Sequence, residues 1–138
     1  MCSVEKDSPL HGFVVSYIHR VWGSRDYFPG PQPISIERRH FPILKSGNYV
    51  VCEKTDGERH MLVAVMFEGS KKCLLVNRSF KMIDIPINLK KSAFDGTILD
   101  GELYENTFMI YDAVRVAGQT VWNVDLHKRM DAAKALLK

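Results

Sequence analysis

Cysteine is scarce in this sequence, and its placement excludes several classes of protein. Cys2, Cys52 and Cys73 are odd in number and far apart, and they include no Cys-x-x-Cys pair. A disulfide framework needs paired cysteines, and a structural zinc site needs cysteine or histidine ligands at short spacings. We therefore expect a protein of a reducing, intracellular compartment.

Long hydrophobic runs are also missing. No stretch of the chain approaches the roughly 18 consecutive apolar residues that a membrane-spanning helix needs. The first ten residues, MCSVEKDSPL, place acids before any apolar run and do not resemble a secretory signal. We expect neither a membrane partner nor export.

Neither sign of charge is in large excess. The formal net charge is +3 over 138 residues, which permits a polyphosphate or RNA partner without requiring one. The length is that of one domain or of a piece of a larger one. Internal repeats and low-complexity tracts are absent from the sequence.

Proline is concentrated in one region. Before that region, Ser8 and Pro9 precede apolar residues at helical spacing as far as Gly23, which predicts a helix between them. The segment DYFPGPQPISIERRHFPIL, residues 26–44, then contains four prolines. Because proline disrupts helices, this segment is expected to contain no regular helix and to form an extended connector with turns.

Short β-rich runs separated by turn residues follow Asn48. They are Tyr49–Cys52, Met61–Phe67, Cys73–Val76, Met82–Ile87, Thr97–Leu103 and Thr107–Val114. Neighbouring strands in such a series are mostly antiparallel, and a last helix is expected from about Val124. The predicted fold class is α+β, with a twisted antiparallel sheet between flanking helices.

A single lysine follows the first of these runs, inside the charged segment EKTDGER at residues 53–59. A lysine that attacks phosphorus must be a neutral amine, although the unperturbed pKa of lysine is about 10.4. Arg59 and the metal ion of a nucleoside triphosphate would lower the pKa of Lys54, and Gly57 would permit a tight turn. Glu53 and Asp56 would hold the loop. Taken alone, the segment could also be an ordinary charged hairpin.

Acidic residues stand at the ends of two later strands. FDGTILDGELY places Asp100 and Glu102 at the end of one strand, and FMIYDAV places Tyr111 and Asp112 at the end of the next. Each is an ordinary feature by itself. Together with Lys54 they would form a pocket with a nucleophile, acceptors for a ribose or metal, and an aromatic stacking surface.

These segments resemble the nucleotidyltransferase domain of mRNA capping enzymes, the RNA guanylyltransferases, which share their lysine motif with ATP- and NAD-dependent polynucleotide ligases. EKTDGER is similar to the first motif of this superfamily, LDGEL to the third and FMIYDAV to the motif that follows. FPGPQPISI, upstream of the lysine, resembles capping enzymes rather than ligases. The similarity is colinear from about Tyr27 to the end of the chain.

The resemblance implies a reaction and a set of site residues. Lys54 would attack the α-phosphate of GTP, release pyrophosphate and pass the attached GMP to the 5′-diphosphate end of RNA. The residues implied in nucleotide binding are Glu53, Lys54, Thr55, Arg59, Glu102 and Tyr111. Arg59 and Glu102 would contact the ribose, and Tyr111 would stack on guanine. A Mg²⁺ or Mn²⁺ ion would be bound together with GTP. Asp56, Glu102 and Asp112 would either coordinate this ion or contact the groups that coordinate it.

The sequence also departs from the family. The later acidic strand, the late lysine strand and the OB-fold lid are not found, and Lys90-Lys91 and Asp95–Ile98 imitate the later motifs in the wrong order. Residues 1–138 are therefore expected to be the N-terminal portion of the domain. Its partners would be the C-terminal remainder, the OB-fold and, through an exposed sheet edge, a second copy of the chain.

Two alternative functions stay open at this level: a fragment of an ATP-dependent polynucleotide ligase, and a non-catalytic interaction module that keeps the fold. The compact upstream region favours a large DNA virus as the source. The expected location is the cytoplasm, in a viral factory or virion, for a viral protein and the nucleus for a cellular one.

Overall fold

The computed structural model describes residues 2–23, 37–47 and 57–137. The lysine segment 53–56, the predicted strand Tyr49–Cys52 and most of the proline-rich region lie outside these residues. The described strands are β1 (Cys2–Val4), β2 (Glu58–Phe67), β3 (Ser70–Val76), β4 (Met82–Asp84), β5 (Thr97–Tyr104), β6 (Thr107–Val116) and β7 (Gln119–Thr120). The α-helices are α1 (Pro9–Trp22), α2 (Phe41–Ser46) and α3 (Leu126–Lys134), and 3₁₀ turns cover Arg38–His40 and Lys91–Asp95.

The seven strands form one sheet in the order β1-β4-β3-β2-β5-β6-β7, and every pairing is antiparallel. The predicted α+β class with an antiparallel sheet is confirmed. The two edge strands of the described sheet, β1 and β7, have three and two residues. Strand β7 pairs only with Arg115 and Val116 of β6, so most of β6 has a strand partner on one side only within the described sheet, and self-association through an edge stays a prediction.

Helix α1 has the predicted ends. The Ser8 hydroxyl accepts a hydrogen bond from the backbone N–H of His11 at 3.2 Å, Pro9 occupies the first turn, and Gly23 ends the helix in a left-handed conformation at φ +68°. The helix buries Val14 and Ile18 completely against the sheet. Burial of one such aliphatic side chain stabilises the fold by roughly 1.5–3 kcal/mol.

Strand β2 lies between two hydrophobic cores. Its residues Met61 and Val63 belong to the core under α1, whereas Leu62 and Ala64 belong to the core on the opposite face, where Ala133 of α3 packs. All four β2 side chains are at most 1% exposed. A strand covered on both faces is held rigidly, so the residues at its start have a fixed position.

Cys73, in the opposite-face core, is buried and in the thiol form. Burial, with a smaller contribution from the nearby Asp84, raises the pKa of the Cys73 thiol to about 12. The thiol therefore stays protonated at neutral pH, which fits a packing residue rather than a nucleophile.

The prediction for the proline-rich region is wrong at its end. Phe41–Ser46 is a short helix, because Pro42 lies in its first turn, where a backbone N–H has no helical partner to lose. Strand β4 ends at Asp84 instead of the predicted Ile87, and Pro86, which cannot donate to a ladder, follows closely. Helix α3 begins at Leu126 after the N-cap Asp125, two residues later than expected. The short strands β1 and β7 were not predicted.

No helix among the residues that the structure describes combines the length and the apolar character needed to cross a bilayer.

Candidate functional site

The predicted site residues on β2 and β5 meet at one end of the sheet. In the antiparallel register, Arg59 pairs with Glu102 and Met61 pairs with Asp100. Directly opposed residues in a sheet point to the same face. The side chains of Arg59, Asp100 and Glu102 therefore share the face that α1 covers farther along the sheet, around Met61.

Arg59 and Asp100 form a two-point ion pair. Arg59 Nε donates to Asp100 Oδ1 at 3.1 Å, and Nη2 donates to Oδ2 at 2.6 Å. The two side chains are 26% and 14% exposed, so the pair is shielded from water. A two-point contact fixes the plane of the guanidinium group as well as its position. Asp100 thus orients Arg59, a role that the sequence analysis did not assign, although the LDGEL motif contains the residue.

Glu102 connects three segments of the chain. Its Oε1 atom accepts a hydrogen bond from the backbone N–H of Gly57 at 2.8 Å, and its Oε2 atom accepts one from the Tyr111 hydroxyl. Gly57 is the first described residue after the lysine segment, and Tyr111 lies on β6. The structure thereby brings together Arg59, Glu102 and Tyr111, which the sequence analysis assigned to one site.

Two glycines permit the close packing around Glu102. A Cβ atom on Gly57 would lie 2.5 Å from the carbonyl oxygen of Leu103 and 2.7 Å from Cγ of Glu102. A Cβ atom on Gly101 would overlap the carbonyl oxygen of Met109. Neither position accepts another residue without a backbone shift. The glycines of EKTDGER and LDGEL therefore permit the backbone to approach β5 and β6 closely.

Tyr111 reaches Glu102 because β6 is irregular at this point. Asp100 pairs with Asp112, but the next residue, Gly101, pairs with Ile110, so Tyr111 is an extra residue on its strand. Such bulges redirect side chains and are common beside functional sites. The FMIYDAV motif predicts the aromatic ring but not the bulge.

Asp112 is held by a different element. Its Oδ1 atom accepts from Arg129 Nε of α3 at 2.6 Å and from the backbone N–H of Ala113 at 2.7 Å, and Oδ2 accepts from Arg129 Nη2 at 3.3 Å. Arg129 also donates to the carbonyl oxygen of Val124 at 2.5 Å. These contacts fasten α3 to β6. The sequence carries no local signal for Arg129, because the pair spans 17 residues.

The remaining predicted site residues, Glu53, Lys54, Thr55 and Asp56, lie outside the described residues. Within the described ranges, no three histidine, cysteine, aspartate or glutamate side chains are close enough together to hold a metal ion. Hard cations such as Mg²⁺ and Mn²⁺ prefer oxygen ligands, and the carboxylates of Glu102 and Asp112 are ligands of that type.

Comparison with protein families identifies the class of protein. Residues 4–138 match the family described as mRNA capping enzyme, catalytic domain, whose members are nucleotidyltransferases. The chain therefore belongs to the mRNA capping enzyme family, as the motifs around Lys54, Glu102 and Tyr111 predicted.

Individual relatives support the same family. The mRNA-capping enzyme subunit alpha of Neurospora crassa is 33% identical, over a match that covers 75% of this chain and 31% of the relative. The corresponding subunit of Schizosaccharomyces pombe is 30% identical, with coverage of 83% and 34%. The mRNA-capping enzyme of Danio rerio is 28% identical, with coverage of 77% and 20%. The chain spans about a third or less of these relatives. They are cellular proteins, and a viral source stays a prediction.

Proposed function

We propose that this chain is the lysine-bearing part of an mRNA guanylyltransferase. The observation that carries the proposal is the pair of hydrogen bonds that Glu102 accepts from Gly57 and Tyr111. These bonds join Gly57, which directly follows the lysine segment, to Glu102 on β5 and Tyr111 on β6. The family resemblance assigns these three parts of the chain to one nucleotide site. Family membership and the relatives from Neurospora crassa and Schizosaccharomyces pombe support the same reaction.

In the first step the neutral amine of Lys54 attacks the α-phosphorus of GTP. An N–P bond forms, the bond from the α-phosphorus to the bridging oxygen breaks, and pyrophosphate leaves with the electron pair while the amine loses a proton. In the second step a terminal oxygen of 5′-diphosphate RNA attacks the same phosphorus. The N–P bond then breaks, and the GMP becomes the cap. Covalent catalysis thus divides one transfer into two in-line displacements.

The position of Gly57 supports Lys54 as the nucleophile. Lys54 precedes Gly57 by three residues, and three residues of extended chain span at most about 11 Å. The backbone of Gly57 is tied to Glu102. The length of the chain therefore keeps the lysine within reach of a nucleotide that contacts Glu102 and Arg59.

The described residues would bind the nucleoside. Asp100 holds the guanidinium of Arg59 in one plane, which prepares it to donate to the ribose. Glu102 would accept from a ribose hydroxyl, and Tyr111, which is anchored by its hydroxyl, would present its ring to guanine. Orientation of the reacting groups accounts for much of the acceleration in phosphoryl transfer.

The metal ion belongs to the substrate in this proposal. Mg²⁺ or Mn²⁺ would enter with GTP and neutralise charge on its phosphates. Asp56, Glu102 and Asp112 are the carboxylates proposed to hold it or its water ligands, and Glu53 and Thr55 are proposed to contact the nucleotide. Both described acids already accept hydrogen bonds, Asp112 from Arg129 and Glu102 from Gly57 and Tyr111.

Residues 1–138 are proposed to form the N-terminal portion of the nucleotidyltransferase domain. The late lysine strand and the OB-fold lid would come from the remainder of the domain, because the relatives described above are much longer than this chain. A nuclear location is expected for a cellular protein and a cytoplasmic one for a viral protein.

The test is covalent labelling of the full-length protein with GTP or ATP that carries the label on the α-phosphate. We expect an acid-labile adduct from GTP that is lost in Lys54→Ala and in Lys54→Arg. Arginine cannot replace the lysine because its guanidinium stays protonated at neutral pH and is not a nucleophile. Lys91→Ala, which removes an exposed lysine from the 3₁₀ turn before β5, is the matched control and should label normally.

Three results would contradict the proposal. An adduct that persists in Lys54→Ala would exclude this lysine as the nucleophile. Labelling by ATP in place of GTP would identify a polynucleotide ligase, and failure of both nucleotides to label the protein would favour the non-catalytic interaction module.

A further inference from the structure

A groove leads away from Arg59 along the same end of the sheet. A cavity of about 500 Å³ is lined by Glu58, Arg59 and the turn between β3 and β4, residues 77–79. A second cavity, of about 790 Å³, is lined by the same turn, by β1 and by one side of α1. Glu58, Asn77 and Ser79 line both cavities, so the two are continuous. We call the combined cavity the turn groove.

The sheet order explains why the groove is continuous. Met61 of β2 pairs with Val76 of β3, Val76 pairs with Met82 of β4, and Met82 pairs with Val4 of β1. The start of β2, the turn 77–81 and the end of β1 therefore lie side by side at one end of the sheet. A molecule that leaves the site beside Arg59 passes the turn first and α1 second.

The turn that forms the middle of the groove is well ordered by its own hydrogen bonds. Asn77 Oδ1 accepts from the backbone N–H groups of Ser79 at 2.9 Å and Lys81 at 3.0 Å. A ring nitrogen of His11, on α1, lies 2.8 Å from the carbonyl oxygen of Phe80. The turn is thus fastened to the helix across the groove, which fixes the positions of the side chains that it carries.

The groove is basic. Lys6, Arg78 and Lys81 line it, all three are exposed, and none forms an ion pair with any residue that the structure describes. Glu58 is the sole carboxylate among the described lining residues, and its Oε1 atom accepts from Asn77 Nδ2 at 3.4 Å. Three such cations on one surface attract a polyanion.

The groove also contains ring surfaces. Phe80 and His19 line it, and their rings lie 5.3 Å apart at an interplanar angle of 58°. Aromatic and imidazole rings beside cationic side chains are the combination that binds single-stranded nucleic acid, because bases stack on the rings while phosphates meet the cations. An acidic peptide would use the cations but would not need the rings.

We propose that the turn groove binds the first nucleotides of the acceptor RNA downstream of its 5′-diphosphate. This inference rests on the proposed guanylyltransferase function, because the 5′ end must reach Lys54 while the rest of the strand leaves the site. The groove opens beside Arg59 and leads past Arg78 and Lys81 to Lys6. Phosphates contact these three side chains, and a base packs against Phe80 and His19.

The experiment separates the two half-reactions in the full-length protein. The triple variant Lys6→Ala, Arg78→Ala, Lys81→Ala is compared with the wild type and with a control variant, Lys91→Ala, Lys128→Ala, Lys134→Ala, which removes three exposed lysines outside the groove. The first readout is formation of lysyl-GMP without RNA. The second is transfer of GMP to 5′-diphosphate RNAs of about two and about ten nucleotides over a series of salt concentrations, with lengths chosen to under-fill and to fill a site of about 4–16 nucleotides.

We expect the triple variant to form lysyl-GMP at the wild-type rate. Its KM for the longer RNA should rise roughly 10- to 100-fold. The slope of log KM against log salt concentration should fall by about 2, since each of the three lost phosphate contacts contributes about 0.7 to that slope on single strands. In the wild type the KM for the longer RNA should be lower than the KM for the dinucleotide, and in the triple variant this difference should disappear. The control variant should behave as wild type.

An unchanged KM and salt dependence in the triple variant would overturn the groove as the RNA path. Competition by polyglutamate as strong as that by RNA of equal charge would overturn the assignment to RNA. If the wild type forms no lysyl-GMP, the proposed function fails, and fluorescence anisotropy with the same RNAs still decides the groove: binding that the triple variant loses supports it, and unchanged binding overturns it.

Discussion

The neighbouring strands β5 and β6 each carry one acidic residue that the sequence analysis assigned to the site, and the two carboxylates have different hydrogen-bond donors. On β5, Glu102 accepts from the backbone of Gly57 and from the hydroxyl of Tyr111. On β6, Asp112 accepts two hydrogen bonds from Arg129 of α3. The first carboxylate joins the parts of the proposed nucleotide site, and the second fastens a helix to the sheet. The hydrogen-bond donors around a carboxylate therefore tell more about its role than its position in a sequence motif.

The two Arg–Asp pairs extend the comparison. Arg59 and Asp100 are 26% and 14% exposed, whereas Arg129 and Asp112 are 18% and 41% exposed. In the first pair the shielded partner is the acid, and the arginine is the side chain that a ligand can approach. In the second pair the arginine is the shielded partner. The first arrangement prepares a cation for a ligand, and the second uses a cation to anchor α3.

Among substitutions of the residues compared above, Glu102→Ala should have the largest effect on formation of lysyl-GMP. Loss of a preorganised group that orients the substrate should lower the rate roughly 10²- to 10³-fold. The free energy of unfolding should fall by about 1–3 kcal/mol, because the donors of Gly57 and Tyr111 lose their acceptor, and not by more, because Glu102 lies outside both hydrophobic cores. Labelling rates and thermal melts of the full-length protein measure the two effects.

Asp131→Ala, which removes an exposed acid from α3, is the control for Glu102→Ala and should retain the wild-type rate. A large fall in melting temperature, with a normal labelling rate for the folded protein, would show that the contacts of Glu102 stabilise the fold and do not serve the site.

The next effect in size is expected for Gly57→Ala. The new Cβ atom would approach the carbonyl oxygen of Leu103 to 2.5 Å, so the backbone must shift and weaken the hydrogen bond to Glu102. Overpacking of this kind typically costs about 1–3 kcal/mol. Chemical denaturation measures the stability, and labelling measures the activity.

Gly12→Ala is the matched control for Gly57→Ala. Gly12 lies within α1, and a Cβ atom added to it would meet no other atom within 4 Å. Alanine at this position should therefore raise stability by roughly 0.5–1 kcal/mol through helix propensity. Equal effects of the two substitutions would show that close packing at Gly57 is not what the site requires.

A smaller effect is expected for Arg129→Ala. It removes the contacts to Asp112 and to the carbonyl oxygen of Val124, and hydrogen bonds to charged groups contribute about 1.5–3 kcal/mol, which partial exposure of Asp112 reduces to about 1–2 kcal/mol. The free energy of unfolding should fall by that amount, while the folded protein labels within about 3-fold of wild type, a change worth less than 1 kcal/mol.

Lys128→Ala, on the same helix and exposed, is the control for Arg129→Ala and should leave stability unchanged. A loss of labelling as large as that of Glu102→Ala, at unchanged stability, would show that Arg129 serves the site by positioning Asp112 instead of anchoring α3.

Periodicity and turn residues predicted most of the fold. Helix α1 follows from Ser8, Pro9 and Gly23, because a cap, a first-turn proline and a left-handed glycine act through neighbouring residues alone. The strands β2, β5 and β6 follow from their apolar runs for the same local reason. The short strands β1 and β7 were missed, since three and two residues are too few to show a period.

The contacts of the site depend on register and could not be predicted in the same way. Asp100 meets Arg59 across 41 residues of sequence, and Tyr111 reaches Glu102 because one extra residue is inserted into β6. Strand composition does not specify a bulge. The motif patterns nevertheless assigned Arg59, Glu102 and Tyr111 to one site, and the structure brings these three residues together where β2, β5 and β6 lie side by side.

The smallest change in free energy is expected for Tyr111→Phe, which removes the hydroxyl that donates to Glu102 and keeps the ring. A single hydrogen bond contributes about 0.5–1.5 kcal/mol, so labelling should fall by roughly 3- to 10-fold. Tyr111→Ala also removes the stacking surface and should fall further, by an additional 10-fold or so if the ring stacks on guanine. Tyr104→Phe, on the same hairpin and 43% exposed, is the control and should label normally. Equal activities of Tyr111→Phe and Tyr111→Ala would exclude ring stacking and leave the hydroxyl, as the donor that positions Glu102, as the whole contribution of this residue.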